Sequence, residues 1–181
     1  MLVLFGPGEN GTDVLLTQRA ATLRAHAGQV AFFGGRVDPE DAGPAAAALR
    51  EAHEEAGVDP DGVVVRAQCG ELFLNVTNFR VTPVIGWWQR PSPLVPGDPG
   101  EVERVVRVPL SELLDPANRF AVQYRDRLIG PGFAASGLFV WGFTAGVLSW
   151  LMKLAGLERP WDSSRVLQVP ERPAPDEVEV P

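Results

Sequence analysis

The chain has 181 residues, 45% of them hydrophobic, with a formal net charge of −7 and a pI near 4.8. That length and apolar content suit a globular chain able to bury a core, not a disordered one. The acidic balance excludes a sequence-independent nucleic-acid binder, which needs many Lys and Arg to neutralise phosphates. It leaves room for a small phosphorylated ligand held by a few arginines and a metal. Lysine occurs only at Lys153 among 16 basic residues, a bias that suits phosphate binding but that a GC-rich genome explains better. Cys69 is the only cysteine, so no internal disulfide forms.

Met1–Phe5 is a short apolar run without a basic lead or cleavage site, so a signal peptide is not expected and a cytoplasmic location is. Gly6-Pro7-Gly8-Glu9-Asn10-Gly11 carries turn chemistry, which makes Val14–Thr17 the partner strand of a hairpin. Val30–Phe33 reads as a brief strand ending at Gly34-Gly35. Gly43-Pro44 opens a helix, because proline is tolerated at the first helical position. The helix continues through Ala45–Ala56, and Gly57 fits a C-terminal cap. Val63–Val76 and Phe79–Trp88 read as strands around a Thr77-Asn78 turn, and Pro91–Gly100 as a loop. Val102–Val108 is expected as a strand, Pro109–Leu114 as a short helical turn and Phe120–Leu128 as a further strand.

From Ile129 to Met152 there is no charged residue, long enough to test for a membrane span. Gly130, Pro131, Gly132, Ser136, Gly137, Gly142 and Gly146 interrupt it. It is read instead as a turn, a strand at Phe133–Trp141 and a buried helix at Phe143–Ala155. Residues 1–169 are expected to form one domain and 170–181 a disordered tail. Strands and helices mix without strict alternation, which favours a layered α/β (α+β) fold over a doubly wound one.

One segment carries chemistry. Glu51, Glu54 and Glu55 fall at i, i+3 and i+4 of the expected helix, which share a face. Converging carboxylates repel unless a cation sits between them, and hard divalent ions favour oxygen ligands. The bland alternative is a solvated acidic face, weighed against the adjoining glycine loop and Arg50. His53 and His26 read as surface and loop histidines.

Gly35 is followed after five residues by Asp41, then after eight by Arg50-Glu51-Ala52-His53-Glu54-Glu55-Ala56-Gly57-Val58. This resembles the Nudix box of the Nudix hydrolases, with Asp41 in place of a glutamate and one residue more before the arginine. The longer spacing and the Gly34-Gly35-Arg36-Val37-Asp38-Pro39-Glu40-Asp41 start resemble the coenzyme A pyrophosphatase branch. So do Leu15-Leu16-Thr17-Gln18-Arg19, Arg24, Gly28, Phe32-Phe33-Gly34-Gly35 and Val140-Trp141-Gly142-Phe143-Thr144-Ala145. Phe33 stands where that branch has proline, and Ala20 where it commonly has serine.

The resemblance implies a Nudix fold, a mixed β-sheet sandwiched between α-helices, and Mg²⁺- or Mn²⁺-dependent hydrolysis of a nucleoside diphosphate derivative. It implies Glu51 and Glu55 as principal metal ligands, Glu54 as a further ligand or base, and the Gly35 carbonyl in the same sphere. Arg50 would pair with Asp41 or a neighbouring glutamate and shape the catalytic face. A glutamate from a distant loop often joins such sites. Glu101 is the first candidate and Glu103 the second, against the alternative of solvated loop acids. Arg19, Arg24 and Arg36 would contact substrate phosphates, with solvated surface charge as the even alternative. Trp87, Trp88, Trp141 and Trp150 are read as core aromatics, although one could stack on an adenine. The expected substrate is a small nucleotide, coenzyme A or acyl-coenzyme A, with neither nucleic acid nor membrane as partner and a homodimer left open. Other diphosphates, such as ADP-ribose, dinucleotides or nucleoside triphosphates, and a non-catalytic nucleotide-binding protein on the same scaffold are the alternatives.

Overall fold

The structure, a computed structural model, describes residues 1–74 and 79–170. Strands β1 (Leu2–Gly8) and β2 (Gly11–Arg19) form the first hairpin. Their pairing continues to Gly8 opposite Gly11. Gly6-Pro7-Gly8, expected in the turn, therefore belongs to the strand, and only Glu9-Asn10 turns. β3 (Val30–Ala31) and β8 (Val102–Pro109) both run antiparallel to β2. β7 (Val84–Trp88) runs parallel to β1, and β4 (Val63–Gln68) antiparallel to β7. The result is a mixed sheet in the order β3-β2-β1-β7-β4, with β8 also on β2.

Two expected strands are divided. Gly70 and Pro83 interrupt the apolar runs, so β5 (Leu72–Leu74) and β6 (Phe79–Val81) leave the main sheet as a separate ribbon. The Thr77-Asn78 turn lies outside the described residues. Further on, Arg125 and Asp126 take φ values of 47° and 62° and end the expected Phe120–Leu128 strand early. β9 (Arg119–Tyr124) then turns into β10 (Arg127–Ala135). Gly130-Pro131-Gly132, expected as a turn, lies inside β10, where the register slips between Leu128 and Gly130. Ser136-Gly137 folds the expected Phe133–Trp141 strand back as β11 (Leu138–Val140). β12 (Val166–Gln168), in the polar stretch, pairs parallel to β9.

Two apolar clusters cover opposite faces of the main sheet, as the two-residue period of a strand requires. Leu2, Leu4 and Leu15 pack with Phe33, Ala48, Ala52, Ala56, Val58 and Trp88. Val3, Val14 and Leu16 pack with β10 and β11 of a second sheet, ordered β11-β10-β9-β12, and with helices α2 (Leu110–Leu114) and α3 (Gly142–Leu154). Helix α1 (Pro44–Ala56) covers the first face alone. Its Ala48, Ala52 and Ala56 recur every fourth residue and are fully buried. Side chains this small bring the helix close to the strands, leaving its other face to the glutamates. Phe33 is fully buried in that same layer, so the residue replacing the family proline is a core side chain. Trp88 is buried as expected, but Trp150 is 40% exposed and not a core residue. Among the described residues no helix is long and apolar enough to cross a membrane.

Candidate active site

α1 is held at both ends by backbone chemistry. Gly43 precedes Pro44 at its start, and Gly57 caps it in the left-handed conformation at φ 68°. The Gly57 and Val58 amides donate to the His53 and Ala52 carbonyls, at 2.8 and 3.3 Å. His53 itself is exposed, its Nδ1 lying 3.1 Å from the Val58 carbonyl oxygen.

Arg50 is the hub of the acidic face. Its Nε and Nη2 donate to Asp41 at 3.2 and 3.1 Å, and Nη2 also donates to the Arg36 carbonyl at 3.0 Å. Nη1 lies 3.1 Å from both Glu51 Oε1 and Glu54 Oε2. Asp38, which sequence reasoning did not single out, is 3.3 Å from Nη2. The shorter Asp41 thus reaches the arginine through both oxygens. It can do so because Asp38 and Asp41 close a turn: the Asp41 amide donates to the Asp38 carbonyl, and the Asp38 amide to Asp41 Oδ2. Those hydrogen bonds, from Arg50 first, hold the Asp41 carboxyl below its usual range, and Asp41 raises the Arg50 guanidinium.

The glutamates divide. Glu51 and Glu54 turn toward Arg50, while Glu55 turns toward the glycine loop and accepts from the Gly34 amide at 3.3 Å. Among the described residues no three acidic, His or Cys side chains stand together as a closed ligand set. Like charges spread apart, and Arg50 draws two of them. Burial raises both Glu51 and Glu55, and Glu55 is pushed up to about 7 despite the Gly34 amide. Partly buried carboxylates of this kind mark a place where a cation would relieve a desolvation cost.

Gly35 tests whether that cation fits. A Cβ built there would overlap the carboxylate of Glu51. The loop backbone therefore approaches the glutamate directly, as only glycine allows. Carboxylates and a nearby carbonyl form an all-oxygen donor set suited to a hard divalent ion. The Glu51 and Glu55 carboxylates, with the Gly35 backbone lying against Glu51, have the chemistry that suits such an ion.

The distal candidates are arranged unevenly. Glu101 accepts through its carbonyl from the Ala20 amide at 2.9 Å, which fixes it beside the end of β2. Glu101 and Arg19 both act electrostatically on Glu55, in opposite senses. Glu103 is exposed in β8. Arg19 has a buried Nε without a hydrogen-bond partner among the described residues. Arg24 and Arg36 are exposed, and the carbonyl of Arg36 accepts from Arg50. At the start of α3, the Thr144 hydroxyl donates to the Val30 carbonyl at 2.9 Å, and Trp141 stands 5.8 Å from Tyr124. The Trp-Gly-Phe-Thr segment thereby braces β3, which leads into the glycine loop.

A mixed sheet carrying a glycine loop against a glutamate helix is the arrangement that the Nudix-box resemblance implies. The NUDIX domain model matches residues 1–128. The chain is 42% identical over 150 residues to the uncharacterized Nudix hydrolase NudL of Cronobacter sakazakii, covering 81% of this chain and 77% of that one. It is 38% identical over 148 residues to NudL of Escherichia coli K12, covering 80% and 76%. Among solved structures, the Nudix hydrolase RenU of M. smegmatis superposes with a TM-score of 0.60 at 22% identity, over 89% of this chain and 86% of that one. DR0079 of Deinococcus radiodurans does so at 0.51 and 15%, over 81% and 78%. The chain belongs to the Nudix hydrolase family and is a pyrophosphohydrolase of nucleoside diphosphate derivatives.

Proposed function

We propose that the protein hydrolyses the pyrophosphate of coenzyme A or acyl-coenzyme A, releasing 3′,5′-ADP and a 4′-phosphopantetheine. The observation that carries this reading is the position of Arg19. It ends β2 and closes the Leu15-Leu16-Thr17-Gln18-Arg19 segment that resembles the coenzyme A branch. It is also close enough to Glu55 to act on its charge. An arginine whose Nε has no hydrogen-bond partner among the described residues suits, at that point, a substrate carrying both a pyrophosphate and a further phosphate.

Mg²⁺ or Mn²⁺, held by Glu51, Glu55 and the Gly35 carbonyl with Glu54 as a further ligand or base, would neutralise charge on the diphosphate and acidify the attacking water. Arg50, anchored by Asp41, keeps Glu51 and Glu54 in position. Glu101 takes the proton from water. Arg19, Arg24 and Arg36 bind substrate phosphates and hold the reacting phosphorus over the acidic face.

The test is incubation with Mg²⁺ or Mn²⁺ and, separately, coenzyme A, acetyl-coenzyme A, ADP-ribose, a dinucleotide and a nucleoside triphosphate, with products separated by chromatography. Formation of 3′,5′-ADP from coenzyme A is expected. Intact coenzyme A alongside cleaved ADP-ribose would overturn the substrate, and no turnover of any of them would overturn catalysis.

A further inference from the structure

The last turn of α1 leaves carbonyls that the helix cannot satisfy itself, and the loop 91–100 supplies partners for them. The Val95 amide donates to the Ala56 carbonyl at 3.0 Å, and the Gly97 amide to the Glu55 carbonyl at 3.0 Å. The Ser92 hydroxyl donates to the Gly57 carbonyl at 3.3 Å. Gly97 lies so close that a Cβ there would overlap the carbonyl oxygen of Glu54 and crowd Glu55 Cα at 3.3 Å. Directly after it, Asp98 builds a tight turn. Its carbonyl accepts from the Glu101 and Val102 amides at 2.9 Å, and its side chain accepts from the Gly100 amide at 2.8 Å. That turn delivers Glu101 to the Ala20 amide at the end of β2. The chain between the glutamate helix and Glu101 is therefore a short strap, hydrogen-bonded at both ends.

We infer that Gly97 is a positioning residue, docking the 91–100 loop on the backbone of Glu54 and Glu55 so that Glu101 is held over the glutamate face. The inference rests on the role proposed for Glu101 above. The helix end and the loop are linked through Ser92, Val95 and Gly97, and of these Gly97 sits on Glu55 itself, next to the turn that leads to Glu101. Any side chain at 97 lifts the strap by the width of a methyl group. A displacement on the order of 1 Å at a proton acceptor costs about 10²-fold in rate.

The experiment is a double-mutant cycle of Gly97→Ala and Glu101→Gln, with the hydrolysed diphosphate of the panel above and Mn²⁺ in excess. Either single variant is expected to lower kcat by about 10²-fold with KM little changed. The double variant is expected to be no worse than Glu101→Gln alone, because Gly97 acts through Glu101. Amide exchange at Ala20 gives a readout independent of turnover and is expected to quicken by about tenfold in Gly97→Ala. Additive losses, or unchanged exchange at Ala20, would overturn the inference while leaving the role of Glu101 intact. Wild-type kcat in Glu101→Gln would overturn both. Should Gly97→Ala fail to fold, Ser92→Ala loosens the same strap without adding bulk. A loss of about twofold to threefold that vanishes in the Glu101→Gln background supports the inference, and a loss that persists there overturns it.

Discussion

Arg50 and Arg119 are each tied to carboxylates, but in opposite surroundings. Arg119 is 2% exposed and donates to Glu158 at 3.0 Å and Ser149 at 2.9 Å, with the Phe133 and Trp161 rings 5.0 and 4.8 Å away. One cation meets one anion between aromatic faces, and the charge is balanced. Arg50 meets Asp38, Asp41, Glu51 and Glu54, with Glu55 beside them on the same helix, and among the described residues it has no aromatic ring contact. Arg19 and the Met1 ammonium also act on the glutamates, but the carboxylates still outnumber the cations, which leaves a surplus of negative charge at a half-open surface. A buried guanidinium balanced by a partly exposed carboxylate fastens the C-terminal segment to the body, whereas an unbalanced cluster costs stability unless something positive joins it. The contrast separates a structural arginine from a site arginine.

Glu55→Gln should have the largest effect on activity, lowering diphosphate hydrolysis by ~10²-fold or more, with a circular dichroism spectrum like that of the wild type. A wild-type rate would move the working face elsewhere. At the other arginine, Arg119→Met should cost about 1–2 kcal/mol of stability, since it removes the hydrogen bonds to Glu158 and Ser149 and the ring contacts of a buried guanidinium. Thermal unfolding should show the drop, while kcat well below the transition stays unchanged. Lost activity with an unchanged melting temperature would place Arg119 in the site and erase the contrast. Arg50→Lys keeps the charge but not the two-pronged grip on Asp41. It should lower activity by about tenfold and barely move the melting temperature.

The smallest effect concerns pH. Burial raises Glu55 to about 7, so its ionised form opposes folding in metal-free protein. The penalty is fully present above about pH 7 and fades as the pH falls toward the ordinary carboxylate range. Metal-free Glu55→Gln should therefore melt higher than wild type at pH 8, and the gap should close as the pH is lowered toward 5. A gap that widens on acidification would contradict the sign.

Much of this contrast was legible in the sequence on one side only. The glycine loop and the helix from Pro44 to Ala56 follow from local spacing, because i, i+3 and i+4 neighbours and a glycine cap are fixed within a few residues, whereas the pairing of Arg50 with Asp41 or a glutamate came from the Nudix resemblance. The division of the glutamates between Arg50 and the Gly34 amide was not legible, since it depends on the loop lying across the helix. Asp38 stood within the quoted motif, but only the folded turn brings it to Arg50. The strap from Ser92 to Glu101 read as a bare proline-glycine loop, because its hydrogen bonds go to carbonyls 35 or more residues back in the chain. The Arg119 cluster gave no signal, as its partners come from β10, α3 and the polar stretch after it. The turns at Arg125-Asp126 and Ser136-Gly137 were missed for a related reason. Three of these four residues adopt positive φ without being glycine, a choice that tertiary pairing imposes over local preference.

The central claim, that the surplus charge around Glu51 and Glu55 is a divalent-metal site, is tested most directly by Mn²⁺ titration followed by electron paramagnetic resonance, comparing wild type with Glu55→Gln. Saturable binding to the wild type, weakened by about tenfold or more in the variant, is the expected result. Equal affinity in the two proteins would contradict the account.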